Sequence, residues 1–85
     1  MTYEIHFTDK AFKQLKKLGK NDQERIIKAL ERIRIRPETF ITKIIGDPGY
    51  RLRVGNYRVI MDIEKEKLII LVLMVGHRKN IYKKL

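Results

Sequence analysis

The stretch Tyr50–Asp62, YRLRVGNYRVIMD, constrains the fold more than any other. Two runs of β-formers flank Gly55-Asn56, a two-residue hairpin turn signal. Side chains alternate faces along a strand, so the loop length fixes the register. Val54 falls opposite Tyr57, Arg53 opposite Arg58, Leu52 opposite Val59 and Arg51 opposite Ile60. Tyr50, Leu52, Val54, Tyr57, Val59 and Met61 then form one apolar face, and Arg51, Arg53 and Arg58 converge on the other. Like charges directly opposite on a sheet destabilise it, by a fraction of a kcal/mol to about 1 kcal/mol per pair. Packing calls for the apolar face but gives no reason for a cluster of guanidiniums. One reading is an anion site, most simply a phosphodiester site, because arginine matches phosphate oxygens in a bidentate way. The other is a solvated face paired to acids such as Asp62 or Glu64.

The remaining segments supply layers for that hairpin. Thr2–Thr8 alternates as a half-buried strand, with Tyr3, Ile5 and Phe7 on one side and His6 on the polar side. Thr8 or Asp9 caps a helix over Asp9–Leu18 that turns Ala11, Phe12, Leu15 and Leu18 inward, and Gly19 stops it. Asn21 or Asp22 caps a second helix, with Ile26, Ile27, Leu30 and Ile33 at helical spacing; Arg25, Lys28, Arg32 and Arg36 lie largely outside, and Pro37 ends it. The short connection makes the two helices an antiparallel hairpin. Phe40–Ile45 fits no single element; Ile41, Ile44 and Ile45 fasten a connecting segment to the core, and Gly46-Asp47-Pro48-Gly49 is a turn cluster. Glu64–Lys67 makes the exit turn of the arginine hairpin. Leu68–Val75, apolar on both faces, reads as a central covered strand. Lys79–Leu85 is a polar tail carrying Tyr82. The order β-α-α-β-β-β predicts an α+β fold: a two-helix hairpin packed on a mainly antiparallel four-stranded sheet. The arginine face is the one the helices leave open. The 85 residues are expected to form a single domain, 1–85.

Charge narrows the partners. The chain holds 20 Lys+Arg against 10 Asp+Glu, a net charge of +10. Residues 1–42 contribute ten basic and six acidic residues and residues 43–85 ten and four, so the excess is spread along the chain rather than held in a tail. Such a balance favours polyanionic partners: nucleic acid, the ribosome or an acidic protein. With no Cys there is no disulfide framework, thiolate nucleophile or thiolate metal site. Two His residues, His6 and His77, are too few for a convincing zinc site. No apolar run approaches the ~20 residues that span a bilayer, and no signal peptide is visible. The expectation is a cytoplasmic protein with no membrane, metal or cofactor.

The chain resembles the RelE family of toxins from type II toxin–antitoxin pairs, within the RelE/ParE superfamily. The resemblance spans the chain: an opening strand of the type YEIHF, the helix segment AFKQLKKL, the block YRLRVGNYRVI and the closing VGHR followed by a tyrosine. It implies a RelE-like microbial ribonuclease-type fold and a metal-independent endoribonuclease that cuts mRNA in the ribosomal A site, inhibiting translation. In that chemistry the 2′-hydroxyl attacks the adjacent phosphate and leaves a cyclic phosphate. Carried over by position, the family's two basic residues before the hairpin turn match Arg51 and Arg53. These are lysines in well-known members; arginine is a poor proton acceptor, so both are read as phosphate clamps. The arginine after the turn matches Arg58. The arginine after the last strand matches Arg78, implied to stabilise charge or protonate the leaving 5′-oxygen. The C-terminal tyrosine matches Tyr82, implied to stack on a base and help activate the nucleophile.

The hairpin loop and the Arg78–Tyr82 spacing are shorter here than in some members. His77 stands where some relatives have Lys, and an ordinary imidazole pKa near 6.5 suits proton transfer, which makes it a second candidate base. Lys13, Lys16, Lys17, Lys28 and Lys79 are candidate RNA-backbone contacts or, more simply, a solvated surface. The resemblance also implies a cognate RelB-like antitoxin, acidic and helical, in a higher-order complex, with the ribosome and mRNA as further partners. Two alternatives share the fold: a ParE-like toxin that inhibits DNA gyrase without nuclease chemistry, and a non-catalytic RNA-binding module.

Overall fold

The computed structural model describes residues 2–43 and 49–81. Its elements are β1 (Glu4–Phe7), α1 (Asp9–Lys16), α2 (Lys20–Ile33), a 3-10 turn at Pro37–Thr39, β2 (Thr42–Lys43), β3 (Tyr50–Val54), β4 (Tyr57–Glu64) and β5 (Ile69–His77). The sheet runs in the order β1-β5-β4-β3-β2. All neighbours are antiparallel except β1 and β5, which run parallel. A parallel pair needs a long crossover, and the helix pair supplies the start of it.

The hairpin register is the expected one, with Val54 against Tyr57, Arg53 against Arg58, Leu52 against Val59 and Arg51 against Ile60. Gly55 sits at the first loop position with φ +57°, where glycine is favoured in a tight hairpin. The sheet has five strands rather than four. The additional β2 lies in the connecting segment, where two residues pair with Arg51 and Tyr50. Such a short edge strand leaves no periodicity to read. Ile41 packs on the core as expected, whereas Ile44, Ile45 and Gly46-Asp47-Pro48 lie outside the described residues.

The main core forms between the helices and one face of the sheet: Ala11, Leu15, Ile26, Leu30 and Ile33 above, Leu52, Val54, Val59, Met61, Ile70, Val72 and Val75 below, with Tyr3 at its edge. Tyr50 and Tyr57 join it half-buried. Thr8 caps α1, its Oγ1 accepting the Ala11 N–H at 3.1 Å. α2 begins two or three residues early, with Gly19 as its N-cap and no side-chain capping bond. Asp22, read from sequence as a possible cap, instead lies in the first turn and accepts the Tyr57 hydroxyl at 3.1 Å.

Two inward assignments change. Phe12 is 49% exposed and Ile27 39% exposed. Each follows or precedes a residue that does face the sheet, and a helix of this diameter buries a stripe of its surface rather than half of it. Phe12 rests edge-on against Phe7, with Lys16 Nζ 5.5 Å from its ring centre. β5 is central, as its apolar run implies, but one of its sides is only partly covered, with Ile69, Leu71 and Leu73 half-exposed. Among the described residues, no helix is long and apolar enough to cross a membrane.

Candidate functional site

The side of the sheet away from the helices carries Arg51, Arg53 and Arg58 on adjacent antiparallel strands, with Arg53 and Arg58 directly paired. Their surroundings differ. Arg53 is exposed and Arg51 half-buried, but Arg58 is only 6% exposed. Its partner on β5 is Gly76, which offers no side chain. The Arg58 guanidinium folds back along its own hairpin, Nη1 donating to the Gly55 carbonyl at 3.0 Å and the Tyr57 carbonyl at 2.8 Å. Arg58 therefore ties the turn as well as charging the face. Arg78 lies one residue past β5, exposed, with its N–H donating to the Asn56 carbonyl at 2.8 Å. That bond holds the Arg78 backbone beside the hairpin turn.

The two acids that the sequence offers as counter-ions make other contacts. Glu64 pairs with Lys67 at 3.8 Å, and Asp62 Oδ1 accepts the Ile63 N–H. Among the described residues, no carboxylate lies within ion-pair distance of Arg53, Arg58 or Arg78.

The face is not wholly open, as the sequence reading had expected. β5 carries a bulge opposite Ile60/Met61, and Ile60, Met74 and Ile81 form a second small core on the arginine side, with Leu73 packed against it. Ile81, from a tail that reads as polar, is 1% exposed. A methyl group at Gly76 would come within 2.9 Å of Ile81 Cδ1, so the missing side chain makes room for this plug. No sequence pattern signals it, because one apolar residue between Asn80 and Tyr82 has no period. Tyr82 lies outside the described residues.

His77 sits elsewhere. It is paired with Tyr57 on β4 and shares the helix-side face, the two rings edge-on with centroids 5.8 Å apart. Its Nδ1 accepts the Lys79 N–H at 3.2 Å. In the neutral ring this leaves the proton on Nε2, where it can be donated but no lone pair is free to accept. Strand register therefore puts Arg51, Arg53 and Arg58 on one face and His77 on the other, with the Arg78 backbone held beside the hairpin turn. On the helix side, the hydrogen bond to the Asp22 carboxylate first, then desolvation by burial and the Asp22 charge, raise the Tyr57 phenol above its ordinary pKa of 10.0.

The candidate lysines separate into two groups. Lys13, Lys16 and Lys17 belong to α1 and its cap, which pack toward β5. Lys28 belongs to α2, which packs toward β3, and there it joins Arg25, Arg32 and Arg53 around a groove of about 340 Å³. Lys79 is exposed beside Arg78. Arg25 and Arg32 were read only as outer-face residues. Their spacing with Lys28 was visible, but the strand residue facing them was not.

Comparisons with known proteins agree with this architecture. The family model described as the ParE toxin of the type II toxin–antitoxin system, parDE, matches residues 5–82. The chain is 30% identical to the mRNA interferase toxin RelE of Escherichia coli strain K12 over 83 residues, covering 94% of this chain and 87% of that protein. Free E. coli RelE carrying two arginine-to-alanine substitutions superposes with a TM-score of 0.80 at 30% identity, covering 96% of this chain and 90% of that one. The archaeal RelE–RelB complex from Pyrococcus horikoshii OT3 gives 0.77 at 28%, covering 92% and 97%. The RelBE2 toxin–antitoxin complex of Mycobacterium tuberculosis gives 0.84 at 23%, covering 92% and 100%, a likeness of fold. A five-stranded α+β sheet with one face under two helices and the other lined by arginines, together with these matches over most of its length, places the chain in the RelE/ParE family of toxins from type II toxin–antitoxin systems.

Proposed function

We propose that the protein is a ribosome-dependent mRNA endonuclease that cuts the A-site codon without a metal ion. The observation that carries this reading is the convergence of Arg51, Arg53 and Arg58 on one side of β3 and β4, with the Arg78 backbone held beside their turn; Arg53, Arg58 and Arg78 have no carboxylate partner among the described residues. The names of the relatives support it, since the E. coli protein is an mRNA interferase.

The chemistry assigned to the site is transesterification. The ribose 2′-oxygen forms a bond to the neighbouring phosphorus as the bond to the 5′-oxygen breaks. The 2′-hydroxyl proton leaves to a base, and the 5′-oxygen takes up a proton. Arginine stays protonated throughout, so Arg51 and Arg53 hold the phosphate and neutralise charge that grows in the transition state. Arg58, already desolvated and held by two carbonyls, needs little reorganisation to face that charge. Arg78 is assigned to stabilise charge on the leaving 5′-oxygen, which takes its proton from water. Tyr82 is the assigned base-stacking group and the leading base, because His77 lies on the other face with its Nδ1 engaged.

The protein would be held inactive by a cognate RelB-like antitoxin, acidic and helical, as the solved relatives are held by RelB. Acidic segments of that partner complement the +10 charge. A cytoplasmic location and a higher-order complex complete the reading.

A cleavage assay on programmed ribosomes tests it. Wild type should cut in the A site, and Arg53→Ala and Arg78→Ala should each lose at least tenfold, about 1.4 kcal/mol of barrier. Arg58→Lys, scored beside a thermal melt, separates the guanidinium's chemistry from its tie to the turn. Absence of cutting by wild type, with or without ribosomes, would overturn the nuclease reading. Inhibition of DNA gyrase, the alternative within a family whose model is named for ParE, would then be measured by supercoiling.

A further inference from the structure

A second concentration of positive charge lines the groove between α2 and the end of β3. The groove is lined by Arg25, Lys28, Ala29, Arg32, Arg53 and Val54. Four of these carry positive charge and none carries negative. Arg25, Lys28 and Arg32 stand at i, i+3 and i+7, one stripe of α2, and a rise of 1.5 Å per residue makes that stripe about 10 Å long. Arg53 faces it from the sheet.

Three features make this more than a solvated helix surface. First, of the three acids of α2, Asp22 accepts the Tyr57 hydroxyl, Glu31 pairs with Arg34 at 3.6 Å, and Glu24, one turn before Lys28, makes no ion pair among the described residues. Among the described residues, no carboxylate lies within ion-pair distance of Arg25, Lys28, Arg32 or Arg53. Second, Arg25 is packed rather than free. Its Nη2 would stand 2.5 Å from a β-carbon at Gly55, so the bare backbone of the turn lets the guanidinium lie against the hairpin. Third, β2 pairs only with Tyr50 and Arg51, leaving the Arg53–Val54 edge of β3 uncovered among the described residues. Arg53 therefore belongs to two surfaces, the arginine face by its register with Arg58 and the groove by its position at this edge.

We propose that this groove is a second RNA subsite that grips the phosphodiester backbone flanking the scissile phosphate, the strand crossing the open edge of the sheet at Arg53. A stripe about 10 Å long outreaches a single phosphate and suits consecutive backbone phosphates. The residues present are cationic side chains and a short apolar floor, so the subsite reads backbone and not sequence. The inference rests on the reading that the substrate is RNA but not on cleavage.

The test is binding of a single-stranded 12-mer RNA with a 2′-deoxy substitution at every position that could be cut, followed by fluorescence anisotropy between 50 and 300 mM salt. Lys28→Gln/Arg32→Gln should weaken binding and lower the slope of log affinity against log salt by about 1.4, the value for two phosphate contacts on a single strand. Lys10→Gln/Lys65→Gln removes the same charge from sites remote from the groove and should leave the slope within about 0.3 of wild type. Equal losses in both pairs would reduce the groove to part of a diffuse positive field and overturn the proposal. So would an unchanged RNA slope in Lys28→Gln/Arg32→Gln with weakened binding of a poly-glutamate chain, which would mark a surface for an acidic protein. If the ribosome assay shows no cutting while the groove variant still lowers the slope, the nuclease reading fails and the subsite stands. If cutting is intact and the slope unchanged, the subsite alone fails.

Discussion

The two faces of this sheet are built from the same strands and obey opposite rules. On the helix side, Leu52, Val54, Val59 and Met61 sit under α1 and α2, and Val59 and Met61 have no exposed surface. On the other side the alternate positions hold Arg51, Arg53 and Arg58, and among the described residues apolar cover comes from Ile60, Met74 and Ile81 with Leu73 packed against them. The first face supplies folding free energy. The second gives part of it up, since two arginines stand directly opposite one another. Arg58 lies between the two regimes, buried like a core residue yet charged and satisfied by carbonyls. Burying a charge without a counter-ion is costly, so its retention directly opposite Arg53 is more easily understood as a demand of ligand chemistry than of stability.

Substitutions on the two faces should therefore separate in chemical denaturation. Met61→Ala removes a fully buried side chain from the main core and should lower stability by about 2–5 kcal/mol. Ile81→Ala removes an equally buried side chain from a three-residue cluster at the chain's end and should fall at or below the bottom of that range, because the site can collapse more easily. A larger loss for Ile81→Ala would mean that the arginine side holds a core of equal weight, and the contrast between the faces would fail.

A smaller effect is expected at Arg53. Its side chain is exposed and faces a like charge, so Arg53→Ala should change stability by no more than about 0.5 kcal/mol, in the stabilising direction if the Arg53–Arg58 repulsion dominates. A clear destabilisation would show that the cluster is a structural device, which would weaken its reading as a site.

The smallest effect concerns Tyr57, on the helix side. Its phenol is raised by Asp22, so ultraviolet titration should find one tyrosine ionising above the ordinary value, and Asp22→Asn should bring it back toward 10.0. The sign follows from linkage. A phenol whose folded pKa exceeds its unfolded one contributes stability that is fully present below the unfolded value and is lost as pH rises through the folded one. The Asp22–Tyr57 contact should thus weaken only in alkali, above pH 10, and a tyrosine spectrum that titrates as a single ordinary class would refute it.

Much of this was legible in the chain. A two-residue loop between β-branched and aromatic runs fixes strand register, and register fixes faces, so the pairing of Arg53 with Arg58 and the burial of Tyr50, Leu52, Val54, Tyr57, Val59 and Met61 follow from local rules. The helix pair and its inward Ala11, Leu15, Ile26, Leu30 and Ile33 follow from periodicity. What periodicity misjudged are positions at the edge of a stripe, Phe12 and Ile27, whose exposure depends on how far the sheet extends beneath them.

Other properties were decided only when distant segments met. The fifth strand exists because Thr42–Lys43 finds an open edge of β3. Ile81 is buried because Gly76, the neighbour of Arg58 across the ladder, leaves room for it. The parity of β5 against β4 sends His77 to the Tyr57 side, away from the arginines it adjoins in sequence. The groove of Arg25, Lys28, Arg32 and Arg53 needs a helix and a strand twenty residues apart to face one another. Local chemistry is written in spacing and can be read directly. Burial and charge convergence are sums over all the elements that pack at a point, and those sums exist only in the folded chain.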